Sequence, residues 1–181
     1  MTELLRKLLN LREAIRASTE VAGSYNWRTP AGTRMLEIAE RIARAAHCGQ
    51  TEESTGDDYI LHVQRVVNMV DREEAKSVAW LHDVIEDSLI RAGDLMNAGL
   101  PVSVVSAVVH LTRVPACESY AEYIERLKTA GPLALEVKAA DLRDHLRPNC
   151  PEQLRPRYIN ACITLGLTSH GHGCDRGGSK T

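Results

Sequence analysis

Five cysteines, Cys48, Cys117, Cys150, Cys162 and Cys174, are scattered through this 181-residue chain, and no two of them form a CxxC pair. An odd, dispersed set of thiols argues against a disulfide framework and a structural zinc module, and points to reduced thiols in the cytoplasm. Apolar runs are short as well: none approaches the ~20 residues that span a bilayer. The first residues, Met1 to Leu9, are interrupted by charged side chains where a secretory leader would be continuously apolar, so neither a leader nor a membrane contact by spanning is expected. The net charge is only -2, which leaves no broad basic surface and no expectation of DNA or RNA binding. Alternating strand-like segments and internal repeats are also missing. With 44% hydrophobic residues and a mean hydropathy of -0.23, the chain has the composition of one globular domain with a sizeable core.

Helical periodicity is found throughout. It predicts helices over 2–18, 31–47, 58–70, 72–86, 90–97, 101–111, 119–130, 132–145 and 157–165. Asp71 is suited to cap the helix over 72–86, and Pro101 to the first turn of its helix. Pro148, Pro151 and Pro156 are expected to break the chain before the last helix. The expected organisation is an N-terminal helix and linker over 1–30, an all-α body over 31–166 and a flexible Gly-rich tail over 167–181. The N-terminal helix is amphipathic and is expected to pack on the body or at a self-association surface; a partner or membrane contact is the alternative. His170, His172 and Cys174 in the tail are a weak metal motif, because their spacing matches no zinc module and ordering a Gly-rich segment is unfavourable.

The most informative stretch is Ala79-Trp80-Leu81-His82-Asp83-Val84-Ile85-Glu86-Asp87. On one continuous helix, His82, Asp83, Glu86 and Asp87 share an arc of about 140° beside an apolar face of Val78, Leu81, Ile85 and Leu89. Three clustered acids repel one another, so the arc needs either full solvation or a bound cation. A solvated helix face is the plainer reading; the apolar neighbours favour a cleft. His62 lies in a largely apolar run, Tyr59 to Val70, where a satisfied core histidine is the alternative to a functional one. Asp141 follows a small apolar stretch and has Lys138 and His145 within helical reach as simple ion-pair partners. His47 ends its helix, where a hydrogen bond to a backbone carbonyl would explain it.

Taken in order, His62, then His82-Asp83 with Glu86-Asp87, then Lys138-x-x-Asp141 resembles the HD-domain phosphohydrolases. The similarity is closer to the hydrolase domain of RelA/SpoT enzymes and to small stand-alone alarmone hydrolases, whose motifs read approximately AHxGQ, PYIxHP, LLHDxxED and VKLADRLHN. It runs from about Thr33 to Leu165. The resemblance implies an all-α HD-domain helical bundle. It implies a divalent cation held by His62, His82, Asp83 and Asp141, a donor set that suits Mn2+, Fe2+, Co2+ or Zn2+. Glu86 and Asp87 match the acid pair that orients or deprotonates water. Gln50, Lys138, His145, Arg157 and Tyr158 fall at substrate-facing positions, with His110, Arg113 and Tyr120 as further candidates. For Lys138 an exposed helix lysine, and for Gln50 the shaping of a helix end, are the plainer alternatives. The implied reaction is hydrolysis of a small-molecule nucleotide phosphate ester, in its most specific form release of pyrophosphate from the 3′ position of a (p)ppGpp-type alarmone. A chain of this length is expected to lack the synthetase domain of bifunctional enzymes, and whether it works as a monomer or homo-oligomer is left open.

The pattern departs from the family at defined places. Alarmone hydrolases commonly carry Arg-Lys in the loop before PYIxHP, in contact with the guanine nucleotide; this chain has Thr51-Glu52-Glu53-Ser54-Thr55-Gly56-Asp57-Asp58. Asp58 and Val63 replace the two prolines around the Tyr59 motif, Leu142 replaces an Arg, and His145 replaces the Asn four residues beyond the last Asp. These changes leave the metal set intact and fall on substrate reading. Four acids near a polyanionic ligand are expected to weaken its binding unless basic groups compensate. Two alternatives therefore stand beside the alarmone hydrolase: a nucleotidase or phosphatase acting on another nucleotide or NADPH, and a non-enzymatic, antitoxin-like binder. The intact metal and acid residues argue against the binder.

Overall fold

The computed structural model describes residues 31–167. The expected N-terminal helix over 2–18, its linker, and His170, His172 and Cys174 lie outside the described residues.

The chain folds into α1 (Ala31–Ala46), α2 (Ile60–Asn68), α3 (Glu73–Leu81), α4 (Val84–Asp87), α5 (Ala92–Asn97), α6 (Val102–Leu111), α7 (Tyr120–Leu127), α8 (Pro132–His145) and α9 (Arg155–Thr164). Among the described residues no strand forms; Thr51 and Asp58 make an isolated antiparallel bridge that closes their loop. No described helix is long and apolar enough to cross a membrane.

Helical spacing dictates the packing. On α1, Met35, Ile38, Ala39, Ile42, Ala43 and Ala46 are buried at three- and four-residue intervals, an apolar stripe that lies against α3. Buried residues run all along α3 (Ala75, Val78, Ala79, Trp80, Leu81), because it is surrounded by α1, α2, α6 and α8. The sequence contains no phenylalanine, and among the described residues the core pairs Trp80 and Tyr123 with mainly aliphatic side chains such as Ile42, Leu81, Leu127 and Leu142. Each such side chain stabilises the fold by about 1.5–3 kcal/mol relative to its exposed state.

Local signals set several boundaries. Ser119 caps α7: its Oγ accepts the Glu122 N–H at 3.3 Å, while the Glu122 carboxylate accepts the Ser119 N–H at 2.8 Å. Gly131, at φ 84, turns the chain into Pro132 at the start of α8, whose bounds coincide with the expected ones. Two expectations are corrected. Pro156 does not precede the last helix but sits in its first turn, where the missing N–H needs no partner, so α9 begins at Arg155. The helix expected over 72–86 is two helices, α3 and α4, and its N-cap is Arg72 in extended conformation, not Asp71. The break falls at His82-Asp83. There the His82 Nδ1 bonds the Ala79 carbonyl at 2.7 Å, the acceptor a continuing helix would offer to the Asp83 N–H. The arc angles of a single straight helix therefore do not apply to His82, Asp83, Glu86 and Asp87.

Candidate metal centre

Four elements converge on one point. His62 comes from the first turn of α2, His82 and Asp83 from the break between α3 and α4, and Asp141 from the middle of α8. On α8, Lys138, Asp141 and His145 recur at three- and four-residue spacing and so share a face.

The distances are those of a ligand cage. His62 Nε2 lies 3.5 Å from Asp141 Oδ1 and 3.8 Å from Asp83 Oδ2. His82 Nε2 lies 2.9 Å from Asp83 Oδ2 and 3.9 Å from Asp141 Oδ1. None of these approaches is aligned as a hydrogen bond: His62 Nε2, His82 Nε2 and Asp141 Oδ1 are buried without a hydrogen-bond partner. Donors bound to a cation at about 2.0–2.2 Å stand roughly 3–4 Å apart, close to the 2.9 to 3.9 Å of these approaches. The residues therefore fit the divalent ion that the HD resemblance implies, and orphaned buried polar atoms are what such an ion would satisfy.

Each imidazole is anchored from behind. His62 Nδ1 bonds Asp144 Oδ2 at 2.7 Å, and His82 Nδ1 bonds the Ala79 carbonyl at 2.7 Å. Both partners only accept, so Nδ1 carries a proton in each ring and Nε2 is turned to the centre. Burial opposes the charged form of His82, but the Asp83 carboxylate beside it holds its pKa up to about 9; a bound cation would take the place of that proton. Burial likewise opposes ionisation of Asp83 and Asp141. The His82 charge nevertheless holds Asp83 below the usual carboxylate range, and Lys138 together with His145 holds Asp141 well below it. Tyr59 donates its hydroxyl to Asp83 Oδ2 at 2.5 Å.

Lys138 is not an exposed helix lysine. It is 8% exposed, and its Nζ donates to Asp141 Oδ2 at 2.8 Å and lies 5.2 Å above the Tyr123 ring. His145 Nε2 is 3.1 Å from Asp141 Oδ1, and its ring stacks on Tyr158 at 4.7 Å and 8°.

A pocket of about 250 Å3 opens beside this cluster. His82, Asp83 and Asp141 line it with Glu86 and Asp87, and so do Arg113, Lys138, Arg157, Tyr120 and Tyr158. The Arg157 guanidinium lies 3.7 Å over the Tyr120 ring. The Glu86 carboxylate accepts the Arg113 N–H at 2.8 Å, and burial raises its pKa. Burial, with Asp83 and Glu86 nearby, pushes Asp87 up to about 6.

Other candidates lie elsewhere. Gln50 is not among the residues lining the pocket: its Nε2 donates to the Asp87 carbonyl at 2.9 Å and its Oε1 meets His47 Nδ1 at 2.7 Å, which ties the end of α1 to the end of α4. His47 is buried with that bond to Gln50 and not with a backbone carbonyl as its acceptor. His110 bonds the Ser106 carbonyl at 3.0 Å and is likewise absent from the lining.

The acidic loop also differs from its expected placement. Glu52 does not point at the pocket; Arg65 Nη2 donates to it at 2.8 Å and Arg147 Nη2 at 3.1 Å. Arg65 also donates through Nε to Asp144 Oδ1 at 2.7 Å. Burial opposes ionisation of Asp144, but His62 and Arg65 together bring its pKa down to about 2. A chain of charges thus runs from the loop through Arg65 and Asp144 to His62. Tyr59, Arg65, Tyr123 and Asp144 had no role in the sequence reading. The only signals for two of them were spacings: Arg65 stands three residues after His62, and Asp144 three after Asp141.

No protein-family model matches the chain, and no curated protein sequence matches it significantly. Among solved structures it is similar to one described as a metazoan ortholog of SpoT that hydrolyzes ppGpp and plays a role in starvation responses. The TM-score is 0.64 at 21% sequence identity, over 76% of this chain and 84% of that chain. The chain has the all-α HD-domain fold that its motifs implied.

Proposed function

We propose that this chain is a metal-dependent phosphohydrolase acting on a nucleotide phosphate ester, in its most specific form a 3′-pyrophosphohydrolase of (p)ppGpp-type alarmones in the cytoplasm. The observation that carries this reading is the set of three buried ligand atoms without hydrogen-bond partners, His62 Nε2, His82 Nε2 and Asp141 Oδ1; His82 and Asp141 also line a pocket that holds arginines and the acids Glu86 and Asp87. The similarity to a ppGpp hydrolase supports the substrate class.

His62, His82, Asp83 and Asp141 would hold the cation, with Mn2+ as the proposed ion. When bound, it would lower the pKa of water and offset negative charge on phosphorus. Arg113 and Arg157 give the pocket positive charge for phosphate oxygens, Arg157 from a fixed seat over Tyr120. Lys138 is committed to Asp141, so its charge keeps that carboxylate ionised. Glu86, held by the Arg113 N–H, orients water, and Asp87 accepts its proton as the oxygen adds to phosphorus; the P–O ester bond breaks and the leaving oxygen takes that proton from Asp87, which restores the acid. Tyr158 presents an aromatic face that is already stacked on His145.

One observation favours a second reading, an HD nucleotidase or phosphatase acting on another nucleotide or on NADPH. The loop that would grip guanine carries no base, and its Glu52 is turned to Arg65 and Arg147. The deciding experiment is turnover of ppGpp, its adenine analogue, common nucleotides and NADPH, with Mn2+ and after chelation. Absence of metal-dependent turnover across the panel would sink the enzyme reading.

A further inference from the structure

We infer that His145 is a fifth protein ligand of the metal centre, its Nε2 joining His62, His82, Asp83 and Asp141 to make a site of three imidazoles and two carboxylates. This rests on the metal reading above and goes beyond it.

Asp141 Oδ1 lies at the hub of the cluster. Three imidazole nitrogens surround it, His145 Nε2 at 3.1 Å, His62 Nε2 at 3.5 Å and His82 Nε2 at 3.9 Å, yet it has no hydrogen-bond partner. A carboxylate oxygen beside three potential donors, none of them aligned on it, is the arrangement of donors directed at a shared point and not at one another. His62, Asp141 and His145 each present a ligand atom within 4.8 Å of the other two, and His62, His82 and Asp83 do the same, so His62 belongs to both triads. The ring spacing agrees. The His62 centroid lies 5.0 Å from that of His145 and 5.4 Å from that of His82, so His145 flanks His62 as closely as an assigned ligand does.

A plain ion pair with Asp141 explains less. The other oxygen of that carboxylate already has Lys138 Nζ at 2.8 Å, so its charge is met without His145. The His145 ring is oriented by stacking on Tyr158, with no hydrogen bond turning its Nε2 toward Asp141 Oδ1. A third imidazole makes the donor set softer, favouring Fe2+, Co2+ or Zn2+ over purely oxygen-seeking ions.

The test uses the full chain loaded with Mn2+ and separately with Co2+. Pulsed electron paramagnetic resonance of the Mn2+ form counts coordinated imidazole nitrogens, and calorimetry gives the affinity for both ions. The expected result is three imidazoles in wild type, two in His145→Asn and His145→Ala, and Co2+ binding weakened at least about tenfold in both variants. Two imidazoles in wild type would overturn the inference without any variant having to fold. Unchanged affinity in a folded His145→Asn protein would overturn it as well. Wild type that takes up neither ion would remove the metal reading itself, whereas loading with only two imidazoles removes the fifth ligand alone.

Discussion

His62 Nδ1 bonds Asp144 Oδ2 at 2.7 Å, with both residues 1% exposed. This contact joins a ring at the candidate metal centre to a carboxylate that Arg65 and Arg147 also hold, and through those arginines to Glu52 in the loop before α2. The acidic loop before α2 is thereby tied to the support of the candidate centre.

Asp144→Asn should keep the fold and weaken Mn2+ binding by about 10- to 100-fold, because the partner that fixes His62 loses its charge. Titration calorimetry of the purified variant gives the number. Wild-type affinity would show that packing alone orients His62.

Asp141→Ala should abolish stoichiometric metal content, read by elemental analysis. It also leaves Lys138 buried without its carboxylate, so we expect a loss of stability of about 3–5 kcal/mol in chemical denaturation. Full metal content in this variant would remove Asp141 from the ligand set.

Glu86→Gln and Asp87→Asn should each retain the metal and lose about 10²- to 10⁴-fold in kcat. Metal analysis and turnover on the same preparation separate the two effects. A variant with wild-type turnover would reduce that acid to a solvated helix residue.

The loop calls for two different substitutions. Glu53 is exposed, so Glu53→Lys should leave the melting temperature unchanged. Glu52→Arg places a third guanidinium against Arg65 and Arg147 and should lower it. Because this loop offers no base to the nucleotide, kcat/KM for ppGpp and its adenine analogue should be similar in wild type. Strong guanine preference that persists in Glu53→Lys would show that the base is read elsewhere in the pocket.

Periodicity in the sequence was sufficient for the all-helical class, for the bounds of α8 and for the start of α7 near Ser119, because these depend on residues within a few positions of one another. The resemblance carried by the motif order singled out His62, His82, Asp83 and Asp141 as candidate ligands, and the fold brings these four side chains together. The interruption at His82-Asp83 was not legible: it depends on an imidazole bonding the Ala79 carbonyl and facing carboxylates from other helices. The burial of Lys138 against Tyr123 was hidden for the same reason, and so was the seating of Glu52 by Arg147, a partner 95 residues away. Charge and helical phase are local properties that the sequence by itself determined. Which carboxylate meets which cation, and which buried donor is left to face the centre, was decided only when distant helices packed together.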